Sequence, residues 1–141
     1  MKEFNLKIKV MNYKSLMNNL KKKFPFKNYI TEHSSGDCYK TVFSIVTKYL
    51  SEKSNILDFG SGPCDKTAIP ALLGHKCIAL DDLQDSWHKK SNNRRQILEF
   101  SREIGIEYFD TLEKITNSKG AVFDMIMAND VIEHLHSSPR E

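Results

Sequence analysis

The sequence predicts an α/β fold: a parallel sheet of about four strands with flanking helices, preceded by two N-terminal helices. Three observations predict it. Short apolar runs alternate with amphipathic segments after residue 54, apolar residues before that point recur at helical spacing, and glycine or acidic residues follow the short runs. At 141 residues the chain has the length of one domain.

Helices are predicted where apolar residues recur three and four positions apart. Pro25 ends the first helix, and Gly74 closes the third just after its last turn. Pro70 is compatible with the third helix because the first turn has no intrahelical N–H bonds to lose. The predicted helices span residues 11–24, 39–50, 67–73, 87–104, 110–116 and 131–136.

Strands are predicted at the short apolar runs, residues 55–59, 76–81, 106–109 and 122–128. Strands that alternate with helices form a parallel sheet with right-handed crossovers, covered on both faces. In such sheets ligands bind beyond the carboxyl ends of the strands, where the strand order reverses. We therefore expect function at the polar residues there, which are Asp58, Gly60, Ser61, Gly62, Asp81, Asp82, Asp110, Asn129 and Asp130.

Basic charge is concentrated at the N-terminus. Up to residue 27 there are eight lysines and one acidic residue, whereas the remainder has 13 basic and 17 acidic residues. We therefore divide the chain into a basic helical arm, residues 1–30, and a domain, residues 31–141. For the arm we favour a solvated extension over nucleic-acid or membrane-surface binding, since no aromatic residue is interleaved with its lysine run.

The compartment is predicted from what the sequence lacks. No apolar run approaches the length of about 20 residues that spans a membrane, and the N-terminus has no apolar core of a secretory signal. Three cysteines without a Cys-x-x-Cys spacing predict neither a disulfide framework nor a zinc site. These features predict a cytoplasmic protein.

The strongest local signal is a glycine pair, Gly60 and Gly62, between a predicted strand and a predicted helix. This strand–turn–helix context forms a cradle for a nucleotide-like ligand. Dinucleotide-binding enzymes place a third glycine and a pyrophosphate here, but this sequence has Asp65 at that position, and a carboxylate repels a pyrophosphate.

The segment ILDFGSGPCD resembles the first motif of class I S-adenosylmethionine-dependent methyltransferases, an acid followed by three spaced glycines. Cys64 replaces the last glycine, a departure that the motif tolerates if Cys64 keeps a negative φ. The resemblance implies that Gly60, Ser61 and Gly62 lie against the methionine part of S-adenosyl-L-methionine. It also implies that Asp58 holds the ammonium, directly or through water.

The resemblance assigns the remaining cofactor contacts to the next two strand ends. Asp81 is expected to accept both ribose hydroxyls, with Asp82 as the neighbouring alternative. Leu83 is expected to pack on the adenine. Asp110 either reaches the adenine amino group or is the N-cap of the helix that follows it.

The segment FDMIMANDVIEHL resembles the fourth-strand motif of the same family. This resemblance implies that Asn129 and Asp130 lie beside the cofactor and the substrate. His134 is a candidate general base, although we favour a capping or packing role for it. No metal site is predicted, because His134 and His136 point to different sides of a helix.

The resemblance covers roughly residues 30–141. The family has a Rossmann-like sheet of seven strands in the order 3-2-1-4-5-7-6, and this chain ends after the fourth. We therefore expect a partial methyltransferase domain, the product of a truncated gene or an N-terminal fragment. Such a chain is expected to bind cofactor weakly, to oligomerise through the open edge of its fourth strand, or to fold poorly.

The expected activity of a full-length relative is methyl transfer to a nucleophilic atom. The substrate class is expected to be a small molecule or sugar, because two segments look like methyltransferases found with bacterial surface-polysaccharide genes. These segments are CDKTAIPALLGHKCIALDDLQD and DVIEHLHSSPRE. Two alternatives stay open. One is a half-domain of a nicotinamide-dependent oxidoreductase, which binds NAD. The other is a non-catalytic, degenerate scaffold that pairs with a partner through its open sheet edge.

Overall fold

The structure is a computed structural model, which describes residues 11–33, 38–51, 53–119, 122–129 and 131. It contains helices and strands in the alternation that the sequence predicts. In chain order they are α1 (Tyr13–Lys23), α2 (Tyr29–His33), α3 (Cys38–Tyr49), β1 (Asn55–Phe59), α4 (Ala68–Leu72), β2 (Lys76–Leu80), α5 (Asn93–Glu103), β3 (Glu107–Phe109), α6 (Leu112–Lys119) and β4 (Met125–Met127).

The strands form one parallel sheet in the order β3-β2-β1-β4, which confirms the predicted fold class and a Rossmann-like architecture. The chain passes outward from β1 to β2 and β3, then returns to β4 on the other side of β1. The strand order therefore reverses between β1 and β4. Asp58 of β1 is paired in register with Met127 of β4 at this point.

Apolar side chains cover the two faces of the sheet unequally. On one face Ile56, Cys77 and Ala79 belong to a large core that also contains residues of α1, α3, α4 and α5. On the other face Leu57 and Ile78 belong to a smaller cluster, in which Ile115 of α6 is fully buried. Because side chains alternate along a strand, Asp58 points to the same face as Ile56, toward α4.

The first helix packs into the main core. The side chain of Asn12 caps it by accepting the N–H of Ser15 at 2.9 Å. Leu16 and Leu20 are fully buried, and the ring of Phe24 meets that of Phe100 in α5 edge to face at 5.1 Å. The described part of residues 1–30 thus shares its core with the sheet, while the domain boundary at residue 30 stays a prediction.

Several local features differ from the expectations. Strand β4 covers Met125–Met127 instead of 122–128, and α6 covers Leu112–Lys119 instead of 110–116. The helix predicted over 87–104 begins only at Asn93, because turns precede it and Ser91 has a left-handed φ of 52°. The short helix α2 was not predicted. The loop before α3, residues 34–37, and most of the helix predicted over 131–136 lie outside the described residues.

Strand β4 is the last strand on its side of the sheet among the described residues, and its Ile126 is 65% exposed. Pairing of this edge with another chain stays a prediction. Across the described segments, we find no helix that combines the length and the apolar character needed to cross a membrane.

Candidate functional site

The candidate site lies at the carboxyl ends of the strands, beside the reversal of strand order. The glycine loop, residues 60–62, leaves β1 here and is bonded to the end of β2. Gly60 and Ser61 both donate backbone N–H groups to the carbonyl of Leu80, at 2.8 and 3.2 Å. Gly60 and Gly62 have φ angles of 69° and 52°, a left-handed backbone that glycine adopts without strain.

Gly60 is also required by a close approach. A Cβ on Gly60 would lie 2.5 Å from Cγ2 of Val131, closer than carbon atoms can pack. The chain after β4 therefore returns across the glycine loop, and the two segments predicted to hold the cofactor meet in the structure. At Gly62 there is more room, because the nearest atom to such a Cβ is Nε2 of His88 at 3.8 Å.

Cys64 differs from its prediction. The negative φ that would make it a neutral replacement for glycine is wrong, because its φ is 65°. Left-handed backbone costs a residue with a Cβ about 1–2 kcal/mol. The side chain is fully buried in the main core, and burial raises the pKa of its thiol, which holds the sulfur in its protonated form.

Asp58, the residue before the last of β1, is a buried carboxylate, only 1% exposed. Thr67, just before α4, donates its hydroxyl to Oδ2 at 2.6 Å. The other oxygen, Oδ1, is buried and has no hydrogen-bond partner among the residues that the structure describes. Burial raises the pKa of Asp58 to about 7; the charge of Asp65 adds to the rise, while the bond from Thr67 opposes it.

Asp81, just after β2, clamps the glycine loop. Its Oδ2 accepts the N–H of Gly62 at 2.9 Å, and its Oδ1 accepts that of Leu83 at 2.7 Å. Two hydrogen bonds hold the backbone of Asp81. The hydroxyl of Tyr108 donates to the carbonyl of Asp81 at 2.8 Å, and the N–H of Asp81 donates to the carbonyl of Phe109 at 3.1 Å. Each carboxylate oxygen keeps a second lone pair, so two hydroxyl donors can still bind.

Asp82 and Leu83, the next two residues, have opposite environments. Asp82 is exposed, and its Oδ1 accepts the N–H of Gln84 at 3.0 Å. Leu83 is fully buried in the main core with a left-handed φ of 51°. Contact between Leu83 and an adenine would therefore require this side chain to leave its present packing.

Asp110 follows β3 and pairs with Lys114 one turn later, at 2.6 Å. The hydrogen bond from Lys114 holds the pKa of Asp110 below its ordinary value. The alternative N-cap role of Asp110 is wrong by one residue. Helix α6 begins at Leu112, and Thr111 accepts the N–H of Lys114 with its hydroxyl, at 3.4 Å.

Asp65, at the position of the third glycine in dinucleotide-binding loops, is turned into the protein. It is 3% exposed, and its Oδ2 accepts the hydroxyl of Tyr39 in α3 at 2.5 Å. Burial and the neighbouring carboxylate of Asp65 raise the pKa of Tyr39, which stays a donor. This bond ties the N-terminal helices to the segment that follows the glycine loop.

Asn129 lies two residues beyond β4, and its Nδ2 is buried without a hydrogen-bond partner in the described part of the chain. Among the described residues, Asp58 Oδ1 is therefore an unpartnered acceptor on β1, and Asn129 Nδ2 is an unpartnered donor on the segment that follows β4. Asp130 and His134 lie outside the described residues.

His88 was missed by the sequence analysis, which placed it inside a predicted helix. The structure puts it in the turns before α5, 6% exposed and facing Gly62. Its one sequence signal is the spacing Asp85-x-x-His88, a capping pattern within an otherwise helical periodicity. Within the described ranges, the structure contains no group of three His, Cys, Asp or Glu side chains placed to hold a metal ion.

Comparison with known proteins gives no family. No family model matches the sequence, and no curated protein matches it. Among solved structures the chain is similar to YjhP from E. coli, with 14% sequence identity and a TM-score of 0.42 over 84% of this chain. The match covers 44% of the YjhP chain, so this chain spans less than half of that protein. We draw neither fold nor function from this likeness.

The close approach of Val131 predicts different costs for two alanine substitutions. Gly105 also has a left-handed φ, 79°, but a Cβ there meets no atom within 4 Å. Gly105→Ala is expected to lower the free energy of unfolding by about 1 kcal/mol through backbone strain alone. Gly60→Ala should cost at least about 1 kcal/mol more, because Val131 must shift. Equal losses in urea denaturation would show that Val131 does not cover the loop.

The buried carboxylate predicts a pH dependence of stability. Because the pKa of Asp58 is raised to about 7, the folded state keeps a proton that the unfolded state releases near about pH 4. The free energy of unfolding therefore falls as pH rises between these values, by an amount on the order of 4 kcal/mol. Asp58→Asn should lack this component. Parallel pH profiles of the two proteins in urea denaturation would contradict the assignment.

Proposed function

We propose that this chain forms the cofactor-binding half of an S-adenosylmethionine-dependent methyltransferase. The observation that carries the proposal is a buried acceptor and a buried donor beside the reversal of strand order, Asp58 Oδ1 and Asn129 Nδ2, neither of which has a partner among the described residues. Buried polar atoms are nearly always paired, so an unpartnered acceptor and donor on adjacent strand ends point to a ligand with complementary groups.

The amino-acid end of S-adenosyl-L-methionine has that complementarity. Its ammonium suits Asp58, because a cation beside a buried carboxylate offsets the cost of holding a negative charge away from water. Its carboxylate suits the amide Nδ2 of Asn129. The backbone of Gly60, Ser61 and Gly62 is then proposed to lie along the methionine chain.

The nucleoside end is proposed to lie over the end of β2. Asp81 is held in place by two backbone N–H groups and retains free lone pairs for the two ribose hydroxyls. Asp82 is the exposed neighbour within reach of the same edge. Adenine contacts are proposed for Leu83, after a rearrangement of the turn that now buries it, and for Asp110, which stands at the end of β3.

The reaction requires little acid–base chemistry from this half of the fold. When bound, the cofactor supplies an activated methyl group on its sulfonium, and transfer depends mainly on in-line positioning of the acceptor atom. The residues of this chain bind and orient the cofactor. We propose a small molecule or sugar as the methyl acceptor, with Asp130 beside it and His134 as the candidate base.

NAD is the competing ligand for a glycine loop of this kind. Asp58 argues against it, because it places a carboxylate at the strand end that leads into the loop, where a pyrophosphate would need donors. Asp65, which was expected to repel a pyrophosphate, is turned into the protein and accepts the hydroxyl of Tyr39, so it does not add to this argument. A non-catalytic scaffold remains the alternative in which S-adenosylmethionine binds without turnover on any acceptor.

Calorimetric titration with S-adenosylhomocysteine and with NAD tests the proposal. We expect S-adenosylhomocysteine to bind and NAD to fail to displace it. Asp81→Asn should weaken binding about tenfold or more, because one amide oxygen cannot replace two carboxylate oxygens.

Asp124→Asn is the matched control. Asp124 also accepts a backbone N–H, from Asn55 at 2.7 Å, but it lies at the amino ends of the strands, away from the site. Its replacement should therefore leave the affinity for S-adenosylhomocysteine unchanged. Preferential binding of NAD, or equal loss in both variants, would overturn the proposal.

A further inference from the structure

His88 faces the glycine loop from the turns between β2 and α5. A Cβ built on Gly62 would lie 3.8 Å from Nε2 and 4.0 Å from Cε1 of this ring. The side chain is more than nine-tenths buried. The edge of the imidazole that carries Nε2 is therefore directed at the same backbone whose N–H is bound by Asp81.

The ring is held from its other side. Nδ1 lies 2.9 Å from Oδ2 of Asp85, although at an angle outside hydrogen-bond geometry, and Oδ1 of Asp85 accepts the backbone N–H of His88 at 2.9 Å. The ring of Trp87 packs against the imidazole edge to face at 5.4 Å. Arg94, in the first turn of α5, donates its N–H to the carbonyl of His88 at 3.1 Å.

This arrangement fixes the chemistry of the exposed nitrogen. A carboxylate beside Nδ1 favours a proton on that nitrogen, which leaves the lone pair on Nε2. Among the residues that the structure describes, Nδ1 is a buried nitrogen without a hydrogen-bond partner, whereas Nε2 is not one of these buried atoms. Nε2 therefore lies on the accessible side of an otherwise buried ring, where a ligand hydroxyl can donate a hydrogen bond to it.

We propose that His88 is a ligand-contacting residue of the nucleoside site, whose Nε2 forms a hydrogen bond with a ribose hydroxyl of the bound cofactor. This inference rests on the proposed function. A ribose hydroxyl is the matching group because His88 faces Gly62, whose N–H is bound by Asp81, and Asp81 is the carboxylate proposed to bind the same sugar. Asp81 and His88 then hold the ribose from two sides of the Gly62 turn.

The test combines binding and spectroscopy on the full chain. S-adenosylhomocysteine is titrated into the wild-type protein and into His88→Leu and His88→Gln. We expect His88→Leu to weaken binding about tenfold, and His88→Gln to recover part of the loss because its amide can still pair with a hydroxyl. His75→Gln is the control, since His75 accepts the N–H of Ser54 before β2, away from the strand ends.

A second readout does not depend on the stability of the variants. In the wild-type protein, the imidazole NMR signals of His88, assigned by their loss in His88→Gln, should shift when S-adenosylhomocysteine is added, while those of His75 should not. Affinity in His88→Leu within about twofold of wild type, or an unshifted His88 signal at saturation, would overturn the inference. Failure of the wild-type protein to bind the ligand would instead overturn the proposed function.

Discussion

The buried carboxylate of Asp58 is the constraint on which the candidate site depends. Its position in β1 directs the side chain toward α4, where the hydroxyl of Thr67 donates to one carboxylate oxygen. The other oxygen has no partner among the described residues. Holding this group away from water raises its pKa to about 7, so the fold is less stable than it would be with a neutral, paired residue there. A cation at Oδ1 removes that penalty, which is why we connect the cost to ligand binding.

The rest of the site is organised by bonds from β2 to the glycine loop. The carbonyl of Leu80 and the carboxylate of Asp81 together take three backbone N–H groups of residues 60–62, so the loop has a fixed shape before any ligand is present. His88 and Val131 then approach its two glycines from different segments. A preformed loop of this kind reduces the entropy that a ligand must lose in ordering it.

Sequence patterns predicted the parallel sheet and the residues at the strand ends, because both follow from the alternation of apolar runs and from polar residues at their ends. The strand order was implied only by the resemblance to the methyltransferase family. Features set by single backbone angles were not predictable in this way. The left-handed φ of Cys64 and that of Ser91, which delays α5, leave no periodic signal. The role of His88 at the loop depends on packing between segments distant in sequence, which a linear pattern does not contain. The capping of α6 by Thr111 in place of Asp110 depends on the residue at which the helix begins, and a periodic pattern locates that residue only to within one or two positions.

The central claim, that the ammonium of the cofactor binds beside Asp58, is tested most directly by counting protons. Titration of S-adenosylhomocysteine at about pH 7 in buffers of different ionisation enthalpy gives the number released on binding. With a pKa of about 7, Asp58 is half protonated before binding, so an adjacent ammonium should expel about half a proton. We expect this release to disappear in Asp58→Asn. Binding without release, or release that is equal in Asp58→Asn, would contradict it.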